Sequence, residues 1–511
     1  MDYTLDKNMV SVGEVIYDGC QEQPVDMDIN LPDYCPDIQR ILKCQIYPKI
    51  TSRNISGDSL VLEGAYTIKV LYLDPDGKCI RCTESSNTFS ADIVLKQSAE
   101  SAHVIAFTRV EYINCRATSP RRLNIHGAFS VCAKVVCQGQ NEIVSNICGD
   151  DIEQKKDTFT VNNLIGFSHE QFGVDEILEL GAGKTPADAI VRTDAFAVLQ
   201  NFSIAAKKLM LKGEISLKFL YLPDEENGMP QSMEYTIPFS QMLDCDGADE
   251  NCLSNISINI VSVETEIKND YSGEKTFFDT QIKLYASALF YKSAEITAVN
   301  DAYSKTLDIA INAKQKTFDN LVQLVGEDYV HKTTLSAEDN KIAKIIDIWN
   351  ETGSASAEIV NGQITFKGKY SLCVLAVNDE NNPFYFERLV EYEYSKEFAG
   401  SADNLKCFAG VSIGSINYRI DGSGVEVKTQ MKLTAEVYRH YGYKEITGVT
   451  ADETKPAAID RSAGLIIYFP DTGENLWDIA RTYRTSMEAI KQENNIEGDT
   501  SQDRGMLLIP V

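Results

Sequence analysis

The sequence predicts a mainly β protein, with tandem antiparallel units of β-sandwich or barrel-like type followed by a small strand–helix–helix–strand module. Three observations carry that expectation. Apolar residues alternate with period two over long stretches, one strand pattern returns three times, and the composition changes after residue 464.

The returning strand occupies residues 60–73, 209–222 and 364–377. In the first copy Leu60, Leu62, Tyr66, Ile68, Val70 and Tyr72 share one face, while Glu63, Thr67 and Lys69 point away. A glycine holds the same step each time: Gly64, Gly213 and Gly368. Inside a strand, glycine marks a bulge or a close backbone approach. Turn chemistry follows in register at 74–77, 223–228 and 378–383. A second strand family lies at 123–135, 278–290 and 425–437, and a short lead-in precedes each glycine strand at 36–42, 185–191 and 338–345. The repeat is about 150 residues long, enough for each copy to bury its own core. Three β domains are therefore expected at 1–155, 156–305 and 306–447.

A turn- and charge-rich linker is expected at 448–464, and the closing module at 465–511. Within that module Leu476, Ile479, Ala480 and Tyr483 recur at i, i+3, i+4 and i+7, the stripe of an amphipathic helix. Ser486 is placed to cap a second helix, whose Ala489 and Ile490 face the first. Residues 507–509 make a returning strand.

Charge narrows the function. The 48 Lys+Arg against 75 Asp+Glu leave a net charge of −27, which repels phosphate and argues against nucleic acid and anionic membranes as partners. No run of about 18 apolar residues offers a membrane span. The first residues lack the basic and apolar regions of an export signal, so a cytosolic protein is expected. Thirteen cysteines, an odd number without an export signal, are expected to be reduced thiols.

Catalytic and cofactor readings find little support. Cys79 and Cys82 have the spacing of half a zinc site, but no second close pair follows, and no metal or other cofactor is expected. Gly181, Gly183, Lys184 and Thr185 suggest a phosphate loop, yet Leu178 stands where the pattern needs another glycine. His103, His126, His169, His331 and His440 are scattered without paired spacing, and no nucleophile elbow occurs. The chain is not expected to be an enzyme.

The glycine strand and its turn, with Leu31-Pro32 and Pro36-Asp37-Ile38, resemble the SPOCS domain that recurs in clostridial spore-coat proteins. The resemblance spans roughly residues 10–450 and carries no catalytic signature. The closing module closely resembles a LysM domain. Gly473, Leu476, Trp477, Ile479, Ala480, Tyr483, Asn494, Gly505, Ile509 and Pro510 match its pattern, while Glu474-Asn475 replaces the commoner Asp-Thr pair.

The LysM resemblance implies a shallow groove for N-acetylglucosamine polymers between residues 471–476 and 494–498. The combination of tandem SPOCS-like domains with one LysM module resembles spore-coat morphogenetic proteins. It implies a mother-cell scaffold that docks through LysM on the coat ATPase SpoIVA at the forespore surface, with other coat proteins and self-association as further contacts. A stable protein contact needs roughly 1,200–2,000 Å², more than a glycan groove supplies. The expected surface therefore comprises Leu465, Ile467, Tyr468, Asp471, Thr472, Gly473, Glu474, Leu476, Trp477, Asn494 and Ile496. Trp477 is either core in this small module or a partly exposed anchor. The alternative is a peptidoglycan-binding protein of cell wall or cortex, against which the missing export signal counts.

Overall fold

The computed structural model describes residues 2–510 apart from 100–101, 226–227, 338–339, 402, 422–423, 457–463 and 502–504. The first six strands are β1 (Thr4–Asn30), β2 (Arg40–Ser56), β3 (Ser59–Leu73), β4 (Ile80–Val94), β5 (Ala102–Ser119) and β6 (Arg122–Cys148). They form two antiparallel sheets, ordered β2-β3-β4 and β1-β6-β5. The same plan returns in β7 (Ile152–Glu179), β8 (Ala187–Ala205), β9 (Lys208–Pro223), β10 (Gln231–Asp244), β11 (Leu253–Asn269) and β12 (Lys275–Ser304), ordered β8-β9-β10 and β11-β12-β7. It returns again in β13 (Leu307–Ser336), β14 (Ile342–Val360), β15 (Gln363–Asn378), β16 (Pro383–Glu397), β17 (Leu405–Asp421) and β18 (Gly424–Pro456), ordered β14-β15-β16 and β13-β18-β17. The chain is mainly β, as its alternation predicts. The closing module is β19 (Leu465–Tyr468), α1 (Leu476–Tyr483), α2 (Met487–Asn494) and β20 (Leu507–Pro510).

Each glycine strand is the middle of its sheet, and in the first two copies its glycine sits beside an irregularity of the neighbouring strand. A Cβ on Gly64, Gly213 or Gly368 would lie 2.0, 2.2 or 1.9 Å from the carbonyl oxygen of Lys49, Val198 or Ser354. The register slips beside Gly64 in β2 and beside Gly213 in β8, whereas in β14 the slip between Glu351 and Gly353 falls opposite Ser371 and Tyr370. Across the other side Phe89, Phe239 and Tyr392 stand directly opposite, with ring atoms within 2.9 Å of where that Cβ would be. Only glycine fits between a carbonyl and an aromatic ring.

The alternating face of each glycine strand fills a local core. In the first copy Leu60, Leu62, Ile68, Val70 and Tyr72 pack with Leu123, Ile125, Phe129 and Val131. The opposite face of the same strand meets the other copies. Leu71 and Leu73, Leu220 and Leu222, and Leu375 and Val377 share one buried cluster with Ile346 and Trp349. These are equivalent repeat positions, so the three copies turn one face toward a common pseudo-threefold axis.

The ring closes in order. The Cys82 thiol approaches the Val191 carbonyl, Lys218 donates to the Ile348 carbonyl at 3.3 Å, and Arg40 donates to the Pro383 carbonyl at 3.3 Å. A second seam joins the long strands, where Val136, Leu164, Leu289, Tyr291 and Leu321 pack with Tyr438. The copies thus have their own cores and also share some.

Beside the axis the equivalent positions differ. Lys43, Arg192 and Asp347 stand opposite Leu71, Leu220 and Leu375 in their sheets. Lys43 pairs with Glu351 at 3.0 Å and Glu387 at 2.9 Å. Asp347 pairs with Lys218 at 2.5 Å. Arg192 lies 4.2 Å over the Trp349 ring and donates from Nε to Asp194 at 2.9 Å.

Two sequence expectations are corrected. The ladder of β13 with β18 runs through Ala310↔Thr450 and Ile309↔Ala451 to Leu307↔Pro456, so residues 448–456 are strand rather than linker. Val449 and Ala451 are buried there with Tyr3 and Ile152. The rest of the expected linker, 457–463, lies outside the described residues, as do 226–227 of the second turn and 338–339 of the third lead-in. The cysteines are not all thiols, because Cys20 and Cys132 are disulfide-bonded. The antiparallel register of β1 and β6 sets them directly opposite one another, a pairing that a sequence separation of 112 conceals.

Shared seams make the copies unfold as one. A single denaturation transition is expected for the β body by calorimetry, and Leu220→Ala should lower its stability by about 2–5 kcal/mol in urea titration. Three separated transitions would contradict the shared cores. A pH dependence follows from His103, which is buried with its ring 5.9 Å from Phe167. Burial, with the charges of His169 and Lys134, pushes its pKa down from 6.5 to about 4. The unfolded chain takes up that proton first, so the stability held by neutral His103 is full above pH 6.5 and is lost as pH falls toward 4. The loss should be on the order of 3 kcal/mol, and His103→Phe should flatten it.

Candidate functional site

The closing module is built by two short capped helices. Asn475 accepts from the Trp477 amide at 2.8 Å to cap α1, and Ser486 accepts from the Ala489 amide at 3.1 Å to cap α2, as its position predicts. Arg484 and Asn495 end the helices in the left-handed region, at φ 53° and 50°. Leu476, Ile479, Ala480, Ile490, Ile496, Leu507 and Ile509 form the core beneath. Asn494 pins α2 to β20, donating to the Leu508 carbonyl at 2.6 Å and accepting from the Leu508 amide at 2.7 Å.

One side of this module is already occupied. Trp477 is 4 % exposed, and its ring packs 4.9 Å from Tyr303 at the end of β12. Asp301 accepts from Trp477 Nε1 at 3.0 Å and from Arg481 at 2.8 Å. The Tyr303 hydroxyl donates to the Thr485 carbonyl at 2.5 Å. Arg484 donates to the Ser304 carbonyl at 3.0 Å and pairs with Asp308. The start of α1 and the turn between the helices are thereby fastened to the joint between β12 and β13.

That joint is itself braced, since Asp151 accepts from Tyr3 at 3.3 Å, from Thr306 at 2.9 Å and from Ser304.

The expected surface residues divide accordingly. Leu476, Trp477, Asn494 and Ile496 are buried and cannot meet an outside partner. The sequence pattern makes them look exposed-site residues, but a module of two one-face helices needs them inside. Leu465, Ile467, Asp471, Thr472 and Gly473 are exposed, and Tyr468 and Glu474 are half-buried. Leu465 and Ile467 alternate onto the outer face of β19, with Ile467 57 % exposed. Beside them Phe469, 71 % exposed, and Met506 are apolar surface that the motif reading passed over, because neither belongs to the LysM pattern.

The two loops of the expected glycan groove are tied together. Leu476 donates to the Asp499 carbonyl at 2.9 Å, Ser501 donates to the Glu474 carbonyl at 2.8 Å, and the Ser501 hydroxyl donates to the Asp471 carbonyl at 3.0 Å. Glu474, which replaces the commoner aspartate, accepts from the Tyr468 hydroxyl at 2.9 Å and from the Asp471 amide at 3.2 Å.

Other candidate chemistry is structural. Residues 181–185 form a turn leading into strand β8, with Thr185 donating to Glu225 at 3.1 Å, and no helix follows to bind phosphate. Cys79 and Cys82 lie on and beside β4, with Cys79 buried. Among the described residues Glu351, Cys373 and Glu387 bring ligand atoms within 4.8 Å of one another. The Lys43 ammonium already sits between the two carboxylates, and burial pushes the Cys373 thiol up to about 12, which keeps it protonated. No helix among the described residues is long and apolar enough to cross a membrane.

Docking of the module should depend on the tyrosine beneath it. Tyr303→Ala removes the ring under Trp477 and the hydrogen bond to Thr485, and should weaken docking by about 3–5 kcal/mol. The expected readout is a larger radius of gyration in solution scattering, with the β body's unfolding transition retained.

The comparisons agree with this architecture. Residues 37–118 and 186–268 match the family described as SipL, SPOCS domain, and residues 472–500 match the LysM domain. The SPOCS matches span β2–β5 and β8–β11, while the third copy repeats the strand order without a match. No curated protein and no solved structure matches the chain. Both matched families are binding modules rather than catalytic ones. In domain content the chain carries two segments that match the SPOCS family and a C-terminal segment that matches the LysM domain.

Proposed function

We propose that the chain is a non-enzymatic scaffold of spore-coat assembly. Its body consists of three SPOCS-like units, formed by β1–β6, β7–β12 and β13–β18. The LysM module joins that body to a SpoIVA-like coat ATPase at the forespore surface in the mother cell, and helps the coat encase the forespore. The observation that carries this reading is the exposed apolar face of Leu465, Ile467, Phe469 and Met506 on a module whose Trp477 side is spent on the body. Grouped exposed apolar residues mark a protein contact more readily than a sugar site, and the body holds them in a fixed orientation.

The second reading, binding of peptidoglycan or another N-acetylglucosamine polymer, is favoured by the LysM match itself. The two are separated with the full chain, offered in parallel to immobilised SpoIVA and to insoluble peptidoglycan. Ile467→Glu should weaken ATPase capture by roughly 2 kcal/mol, about thirtyfold, while leaving the fold intact by circular dichroism. Capture by glycan with none by the ATPase would overturn the scaffold reading.

A further inference from the structure

Where the three copies meet, a cleft of about 440 Å³ opens between β2, β5, β8, β11 and β17. Its lining sets apolar side chains, Phe107 from the first copy, Phe196 and Ile258 from the second and Ile413 from the third, beside polar groups that make up the larger part of its exposed surface. Two cations of β2, Lys49 and Arg53, line it as well. Both are half-buried, and among the described residues neither forms an ion pair.

The neighbouring Lys69 is taken by Glu84 at 3.2 Å, and Glu264 acts on Lys49 only from beyond pairing distance. Arg53 stacks 4.3 Å over the Tyr285 ring, but its Nε is buried without a hydrogen-bond partner. Burial pushes the pKa of both groups down. Buried cations are normally paired, and an unpaired guanidinium fork is shaped for a carboxylate. In a chain of net charge −27, with abundant carboxylates available for pairing, two cations without a carboxylate partner lining one cleft are conspicuous.

We infer that this cleft is a binding site for a small amphipathic carboxylate, with the anionic head between Lys49 and Arg53 and the hydrocarbon body against Phe107, Phe196, Ile258 and Ile413. Its volume falls within the usual range of small-molecule sites. The site lies in the β body, away from the LysM module, and stands or falls separately from the scaffold function.

The probe is octanoate, titrated calorimetrically into the full chain, with octanamide as its uncharged counterpart. Octanoate should bind saturably and weaken as salt is raised, and octanamide should bind at least about tenfold more weakly. Arg53→Met and Lys49→Met, which keep the aliphatic stems, should each weaken octanoate about tenfold or more. Lys96→Met, an exposed lysine outside the cleft, should leave binding unchanged. Thermal melts check that each variant is folded, and the octanoate–octanamide comparison needs no variant at all. Absence of octanoate binding, equal binding of octanamide, or equal loss in Lys96→Met would each overturn the assignment.

Discussion

Water is excluded from the pseudo-threefold axis by six aliphatic side chains, two from each glycine strand, and the rest of the β body is organised around that exclusion. Leu71, Leu220 and Leu375 hold equivalent positions, and so do Leu73, Leu222 and Val377. Each is worth about 1.5–3 kcal/mol when fully removed from water. To bring them together, each copy must present the same end of its middle strand, which fixes the orientation of both its sheets. An irregularity in the strand beside each glycine strand interrupts its register, and the long strands fall against one another in the second seam.

The LysM module is an appendage of this body rather than a free tail. Trp477 would be the natural choice for an anchor toward a foreign protein, yet Tyr303 and Asp301 of the same chain already satisfy both its ring and its indole N–H. Substitutions of Trp477 therefore report on the attachment of the module, and only indirectly on what it binds. On the outer face of β19, Leu465 and Ile467 remain exposed.

Much of the fold was legible because it is written three times. A single strand with a glycine is ambiguous, but Gly64, Gly213 and Gly368 in register expose a rule, and the carbonyls beside them supply its cause. The helices were legible from the apolar stripe of α1 and from Ser486 as the cap of α2, whereas the Asn475 cap of α1 was not read from the sequence. The shared axis was signalled more faintly. Alternation gives way to the continuous apolar runs 70–73, 219–222 and 374–377, the mark of a strand covered on both faces. The partner of Trp477 lies 174 positions away at Tyr303, and the partner of Cys20 lies at Cys132, distances over which periodicity carries no information. The strand at 448–456 was hidden by its charged exposed residues, although Val449 and Ala451 alternate inward.

Lys43, Arg192 and Asp347 hold the same place in three successive copies, but two are cations of different shape and the third is an anion. A ring made of three separate identical subunits could not do this. It would bring three lysines, three arginines or three aspartates together, and their mutual repulsion would push the ring apart. Tying the copies into one polypeptide frees each from having to match itself. Selection can then change one corner of the ring while leaving the other two alone, and the body gains three chemically distinct sides.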